Sequence, residues 1–261
     1  MPQTSLFLIA LSTVVAAAEA VPKPAAIAQD TIGLITQHRP TSADGKPGIF
    51  RMQGEVSGGL VLARGSVDDT LTGSAAFWLP VVDGNMAIRF GADVLRYDIG
   101  DHLDLGLGDL GIRWDWAPTM AGPNALLVEV DTTWDTATRD RLGANTNTIA
   151  PGAVYVIETG RNFTFAPGID HRLDWGSNEG QDISLTRIHG YFGWPGDGRF
   201  WALVDPNLNL DSENDRTWVA LEAEGGVNLG QKLSAWVRPS IPLGDERPYD
   251  LKLTGGLDLV F

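Results

Sequence analysis

The residues best equipped for chemistry are few and scattered. The stretch "DIGDHLD" gathers Asp98, Asp101, His102 and Asp104 on one segment, where carboxylate oxygens could take a hard cation such as Ca²⁺ or Mg²⁺. The spacing is not that of an EF-hand loop, and a solvated acidic loop uses the same residues, so no metal ligand is assigned there. His171 with Ser177 and Asn178 is the nearest approach to an acyl-transfer set, but the spacing puts them on different levels of a strand and a loop, and a lone rim histidine is more often interfacial than catalytic. No H-x-S pair occurs anywhere. The absence of cysteine removes thiol nucleophiles, thiolate zinc sites and disulfides together. "GDLG" and the glycine pairs lack the strand-to-helix setting of a phosphate loop. No catalytic residue and no cofactor is expected, and the chain is read as not an enzyme. A formal charge of −14, from 33 acids against 19 bases, excludes nucleic acid as a partner, because phosphates require clustered lysine and arginine.

What remains is a larger set of charges spaced two residues apart within apolar runs. Arg89, Asp93, Arg113, Asp115, Glu129, Asp131, Arg172, Arg187, Glu222, Glu224, Arg238 and Lys252 fall on the polar side of such runs, with Asp109, Asp170, Asp174, His189, Asp205 and Asp258 in the same phase. Both signs are interspersed. Such a column could line a narrow path for small solutes, or its members could satisfy one another inside a closed lumen.

The elements that must carry these charges are strands. From about residue 50 onward, twelve runs of 11 to 14 residues show period-two character, and no helical period is sustained. At about 3.3 Å per residue and ~40° of tilt, each can cross a hydrocarbon layer. The connections alternate: "VDGN", "PTMAGPN", "GR" and "PGDG" are short and nearly uncharged, whereas "RGSVDD", "DIGDHLDL", "ATRDRLGAN", "GSNEGQ", "SENDR" and "GDERP" are longer and acidic. That alternation predicts an all-β, twelve-stranded antiparallel up-and-down transmembrane β-barrel, with tight turns on the periplasmic rim and loops outside. Its even strand number places both ends of the chain on the short-turn side.

A soluble sandwich would put the apolar faces inside, and single-strand patterning does not separate the two. In "LLVEVDTTWD" the test is whether Glu129 and Asp131 point inward and Leu126, Val128 and Val130 outward. The tryptophans favour a membrane. Trp78, Trp114, Trp116, Trp194 and Trp201 fall toward the short-turn rim, Trp134, Trp175 and Trp218 toward the loop rim, and Trp236 alone near mid-strand, as in the aromatic girdles of lipid-embedded barrels.

Several stretches carry a family resemblance. "GLGDLGIRWDWAP", "FWALVDPNLNLDSENDRTWVALEAEGGVNL" and "RPSIPLGDERPYDLKLTGGLDLVF" resemble the strands of bacterial outer-membrane barrels grouped as the MetA-pathway phenol-degradation or transporter-like family, over roughly residues 50 to 261. The resemblance implies an outer-membrane barrel that passes hydrophobic or aromatic compounds. It also implies that Phe261, an aromatic on the last strand, serves as the signal read by the barrel-assembly machinery.

The start of the chain, "SLFLIALSTVVAAAEA", is an apolar run closing on Ala18-Glu19-Ala20, the small-x-small pattern of a signal-peptidase site. The expected organisation is a signal peptide over 1–20, a mostly irregular periplasmic lead-in over 21–48 and a barrel over 49–261 in the outer membrane of a Gram-negative bacterium. The expected partners are outer-membrane lipids and lipopolysaccharide, the assembly machinery and a small-molecule solute. A non-conducting structural or adhesion barrel and an exported soluble β domain are the alternatives.

Overall fold

Alternation of polar and apolar residues becomes thirteen strands in the computed structural model, which describes residues 55–64, 69–81, 86–99, 103–118, 124–158, 163–176, 182–194, 199–230, 232–244 and 247–261. In chain order they are β1 (Glu55–Arg64), β2 (Thr70–Val81), β3 (Met86–Asp98), β4 (Leu103–Leu105), β5 (Leu110–Trp116), β6 (Ala125–Trp134), β7 (Thr148–Glu158), β8 (Thr164–Asp174), β9 (Ser184–Trp194), β10 (Phe200–Asp211), β11 (Arg216–Asn228), β12 (Leu233–Leu243) and β13 (Leu251–Val260). The expected leader and lead-in, together with Asp101, His102, Ser177 and Asn178, lie outside the described residues.

Apart from β4 and β5, which both pair with β3, each strand pairs antiparallel with its chain neighbours, and β1 pairs with β13 from Glu55 opposite Val260 to Arg64 opposite Leu251. That last ladder closes the sheet and removes its edges. Strands β4 and β5 share one stave, because β4 pairs with Leu95–Tyr97 of β3 and β5 with Met86–Ala92 of the same strand. The barrel therefore has twelve staves. Among the described residues the only helical turn is the short 3₁₀ segment Asp140–Leu142.

The faces are those of a membrane barrel. On β6, Glu129 is buried together with Leu127, while Leu126, Val128 and Val130 remain partly exposed on the other side. Around the wall Leu60, Ile188, Leu221, Val237 and Leu257 are each 40% or more exposed. Many acids and arginines on the opposite face are nearly inaccessible, among them Asp115 and Asp205 at 0%. Water does not tolerate so broad an apolar exterior on a monomer, whereas hydrocarbon requires it.

Two local features depart from simple alternation, and they answer one another. Gly73 of β2 faces Leu95 and Ser74 faces Asp93, so Val94 is an extra residue in β3. The bulge reverses the strand's phase: Phe90 and Ala92 share the outer side below it, Leu95 and Tyr97 above it. The neighbouring stave reverses at the matching height through Gly106–Asp109, with Leu103 and Leu105 outward above and Leu110 outward below. Leu103–Leu105, read from sequence as part of an acidic loop, is consequently strand. Val94 is the bulge itself.

The tryptophans also divide differently from the expectation. Trp114 stacks against Trp116 at 6.3 Å, and Trp134 meets Trp175 edge to face at 4.9 Å. These four and Trp194 stand on the outer face near strand ends. Trp78, Trp201 and Trp218, expected in the girdles, point into the barrel instead, as does Trp236. The cause is parity: Trp201, Trp218 and Trp236 share their strands' phase with the buried charges Asp205, Glu222 and Arg238, and Trp78 shares that of the buried Ala76.

Candidate functional site

The interior is built in layers, and the middle one is charged. On β5, Arg113 donates from Nε to Asp115 Oδ1 at 2.7 Å and from Nη2 to Glu129 on β6, with all three side chains nearly inaccessible. Arg89 lies directly across from Arg113, and Asp131 is Arg113's partner on the opposite strand. Gly152 makes room for this cluster: a Cβ there would lie 2.9 Å from Glu129 Oε1 and 3.0 Å from Asp170 Cβ. Arg89 also covers the Trp78 ring at 4.6 Å, a desolvated cation–π contact.

A second network occupies β8 to β10. Arg187 Nε donates to Asp170 Oδ2 at 3.0 Å, and His189 spans two carboxylates, Nε2 to Asp170 at 2.5 Å and Nδ1 to Asp205 at 3.3 Å. Tyr191 stacks on the imidazole at 4.9 Å. A third closes the wall from β10 to β13. Arg238 donates to Glu224 from Nε at 3.0 Å and also from Nη2, Trp201 Nε1 donates to Glu224 Oε1 at 2.9 Å, and Ser240 Oγ donates to Glu222 Oε1 at 3.0 Å. Lys252 stands 3.9 Å from Glu222. The residues proposed from sequence as lumen-lining are thus placed as follows: Arg113, Asp115, Glu129, Arg172, Glu222, Glu224, Arg238 and Lys252 are buried, and Arg89, Asp93, Asp131 and Arg187 partly so. Opposite signs pair because water is excluded around them and an isolated charge there would be expensive. Sequence reasoning passed over Asn207, Asn209, Ser240 and Tyr191, although each lies two residues from, or directly across a strand pair from, a charge it did select, and also Glu55, which lies opposite Val260 and Trp78.

Below the charges, toward the short-turn rim, the interior turns apolar. Leu127, Val154, Val156, Ala166, Tyr191 and Leu203 join Ala76, Trp78, Ala87 and Ala117 in one buried cluster. On the remaining wall two indoles do the filling. Trp201 lies on Gly226 and Trp236 on Gly256, each so close that a Cβ on the glycine would meet ring carbons at 2.0 Å and 2.8 Å. A uniformly polar lumen was not to be expected from strands whose inner phase contains these residues.

Toward the loop rim, Asp109 is a clasp rather than a lumen wall. Its carboxylate accepts from the backbone N–H of Thr136 and Ala137 at 3.2 Å and of Ala144 at 2.7 Å, which gathers the connection between β6 and β7 into a folded loop. Thr138 adds reciprocal bonds with Leu107, both at 3.0 Å, and Leu142 is buried against the β3–β4 wall, where a Cβ on Gly108 would lie 2.8 Å from its carbonyl oxygen. Charge-assisted bonds to N–H groups are worth about 1.5–3 kcal/mol each. In Asp109→Ala, trypsin should cut after the exposed Arg139 about tenfold faster or more while the strands stay resistant; an unchanged rate would show that the loop is held by something else.

Among the described residues, the candidate reactive groups do not assemble. His171 Nδ1 is hydrogen-bonded to Thr186 Oγ1 at 2.8 Å, Asp98 pairs with Arg96, and Asp104 pairs with Arg139, the last two at 2.9 Å. No group of three or more carboxylate, imidazole or thiol side chains converges on a common point among the described residues.

Solved structures share this architecture. An outer membrane channel from Pseudomonas putida F1 superposes with a TM-score of 0.65 at 12% identity, covering 83% of this chain and 98% of that one. The fold is that of outer-membrane barrels. The KdgM porin, solved in complex with disordered oligogalacturonate, gives a TM-score of 0.58 at 4% identity over 79% of this chain and 99% of its own. The NanC porin gives 0.54 at 11% identity over 80% and 98%. Neither a protein-family model nor a curated protein matches the sequence. The specific phenol-degradation family suggested by the strand motifs is therefore not confirmed, and what the neighbours share with this chain is the closed antiparallel barrel.

Proposed function

We propose that this protein is an outer-membrane barrel that gives passage to small molecules. The observation that carries the reading is the inversion of polarity. A closed wall of twelve staves turns leucine, isoleucine and valine outward and holds its arginines and carboxylates within, which makes the lipid layer its solvent and the interior its polar route. The solved neighbours described as channels and porins support it. In this reading lipids and lipopolysaccharide surround the apolar belt, the assembly machinery inserts the barrel, and Phe261, stacked on Phe77 at 5.8 Å on the lipid face, is the group it reads. Hydrophobic or aromatic solutes are the proposed cargo, following the strand-motif resemblance and the indoles inside the barrel.

The interior sets the scale of any flow. Among the described residues, paired charges above and a packed apolar floor below occupy the interior, so passage depends on movement of these side chains. Purified protein in planar bilayers should give small, discrete conductance steps. A silent bilayer at high protein load would favour the second reading, a non-conducting structural or adhesion barrel, for which the buried cluster around Leu127, Tyr191 and Leu203 is the supporting observation.

A further inference from the structure

The charged layer and the apolar floor meet at His189, whose surroundings differ in kind from the arginine pairs on either side. Among the described residues it is the one histidine that points into the barrel, since His171 lies in the phase opposite to the buried Arg172. Its side chain is almost wholly buried and bonded at both ends, Nε2 to Asp170 on β8 at 2.5 Å and Nδ1 to Asp205 on β10 at 3.3 Å. An ionised carboxylate only accepts, so both bonds form together only when both ring nitrogens carry protons. One ring then ties together the two strands that flank its own.

The charges that face it each have a second partner. Arg187, from the same strand, donates to Asp170 at 3.0 Å, and Arg172 follows Asp170 in the inner phase of β8. Asp205 also accepts from the Gly190 N–H and from the Asn207 carboxamide, both at 3.4 Å. Farther out, Glu222 of β11 stands opposite Asp205, and Glu129 of β6 and Asp170 both border Gly152 of β7. From the floor side Tyr191, among the largest of the fully buried side chains, lies against the imidazole at 4.9 Å with the rings 16° from parallel.

We infer that His189 is a protonation-controlled latch on the passage. As imidazolium it clamps β8 to β10 and keeps the interior closed; as imidazole it keeps a single N–H, and the bare lone pair on its other nitrogen turns one carboxylate away. Release strands no charge, because Asp170 keeps Arg187 and Asp205 keeps its two other donors. Tyr191 loses the ring that holds it, so the loosening reaches the floor. Imidazole is suited to the task, since its ordinary titration near pH ~6.5 falls where carboxylates and guanidinium groups ordinarily hold their charge. The latch deepens the passage reading and rests on it for its purpose, but its bonds can be measured without any transport.

In planar bilayers the conductance of the full-length protein should rise at least about threefold between about pH 5.5 and about pH 8.5, on either side of histidine titration. His189→Gln, which takes up no proton, should conduct equally at both, and His171→Gln should keep the wild-type rise. Asp205→Asn should also abolish the rise, because its amide donates to the lone pair of the neutral ring, and it serves if His189→Gln fails to fold. In detergent, the urea midpoint of the wild-type gel shift should fall by about 0.5 M or more over the same interval, and that of His189→Gln by less than half as much. Equal wild-type conductance at the two pH values, or a rise that survives in both folded variants, overturns the latch and leaves passage standing. A bilayer silent at both values sinks passage instead, and the latch then stands if the midpoint falls as stated and is overturned if it does not.

Discussion

Arg113→Met should destabilise the barrel by about 3–5 kcal/mol, the usual consequence of removing one member of a buried ion cluster. Asp115 and Glu129 both accept from this guanidinium and are 0% and 5% exposed, so the variant leaves two carboxylates facing each other with no water to screen them. Methionine fills most of the vacated volume, and the loss is therefore electrostatic rather than a cavity effect. The measurement is urea unfolding of protein refolded into detergent micelles, followed by the gel shift between folded and unfolded forms. Adding Asp115→Asn and Glu129→Gln to the same chain should return much of the loss, because neutral amides can bond to one another where carboxylates repel. Wild-type stability for Arg113→Met would mean that water or another cation already screens the cluster, and the closed charged layer described above would then be wrong.

Gly226→Ala and Gly225→Ala should behave oppositely although the residues are neighbours. A methyl group at Gly226 points inward and would lie 2.0 Å from the Trp201 ring. The indole must leave its place, and its 2.9 Å bond to Glu224 goes with it. Overpacking and the lost bond to a charged acceptor together predict about 2–4 kcal/mol of destabilisation. At Gly225 nothing lies within 4 Å of the added carbon, which faces lipid, and alanine there should change stability by less than about 0.5 kcal/mol. Equal unfolding midpoints for the two variants would contradict the assignment of inner and outer faces on β11. Gly256→Ala, beneath Trp236, should repeat the Gly226 result in milder form, the approach being 2.8 Å rather than 2.0 Å.

Much of this architecture is legible in the residue order. Polar and apolar residues alternate along each run because successive side chains of a strand point to opposite faces, and tight turns alternate with acidic loops because an up-and-down meander has two rims of different kind. Those two local rules suffice for strand count, direction and closure. The inner position of Glu129 or Arg238 follows from the same parity once a membrane is assumed. The tryptophans show where the reasoning fails. Position along a strand was used to place Trp78, Trp201 and Trp218 in the girdles, whereas facing is decided by parity, which puts them beside Arg89, Glu224 and Asn209. A girdle argument needs both coordinates.

Val94 shows a different limit. Nothing in "MAIRFGADVLRYD" marks one residue as supernumerary, since the bulge exists only because the next stave also changes phase, at Gly106–Asp109. The same holds for Asp109, whose three N–H partners lie 27 to 35 residues away. The recess lined by Arg172, Trp218 and Lys252 draws on strands separated by some 80 positions. The sequence by itself determined the number of staves, their order and which face of each is polar, because these depend on neighbours one and two residues apart. Which arginine meets which carboxylate, which indole covers which glycine, and whether the inside is a bore or a filled column were decided only by closure, because a curved wall brings together side chains that no local period relates.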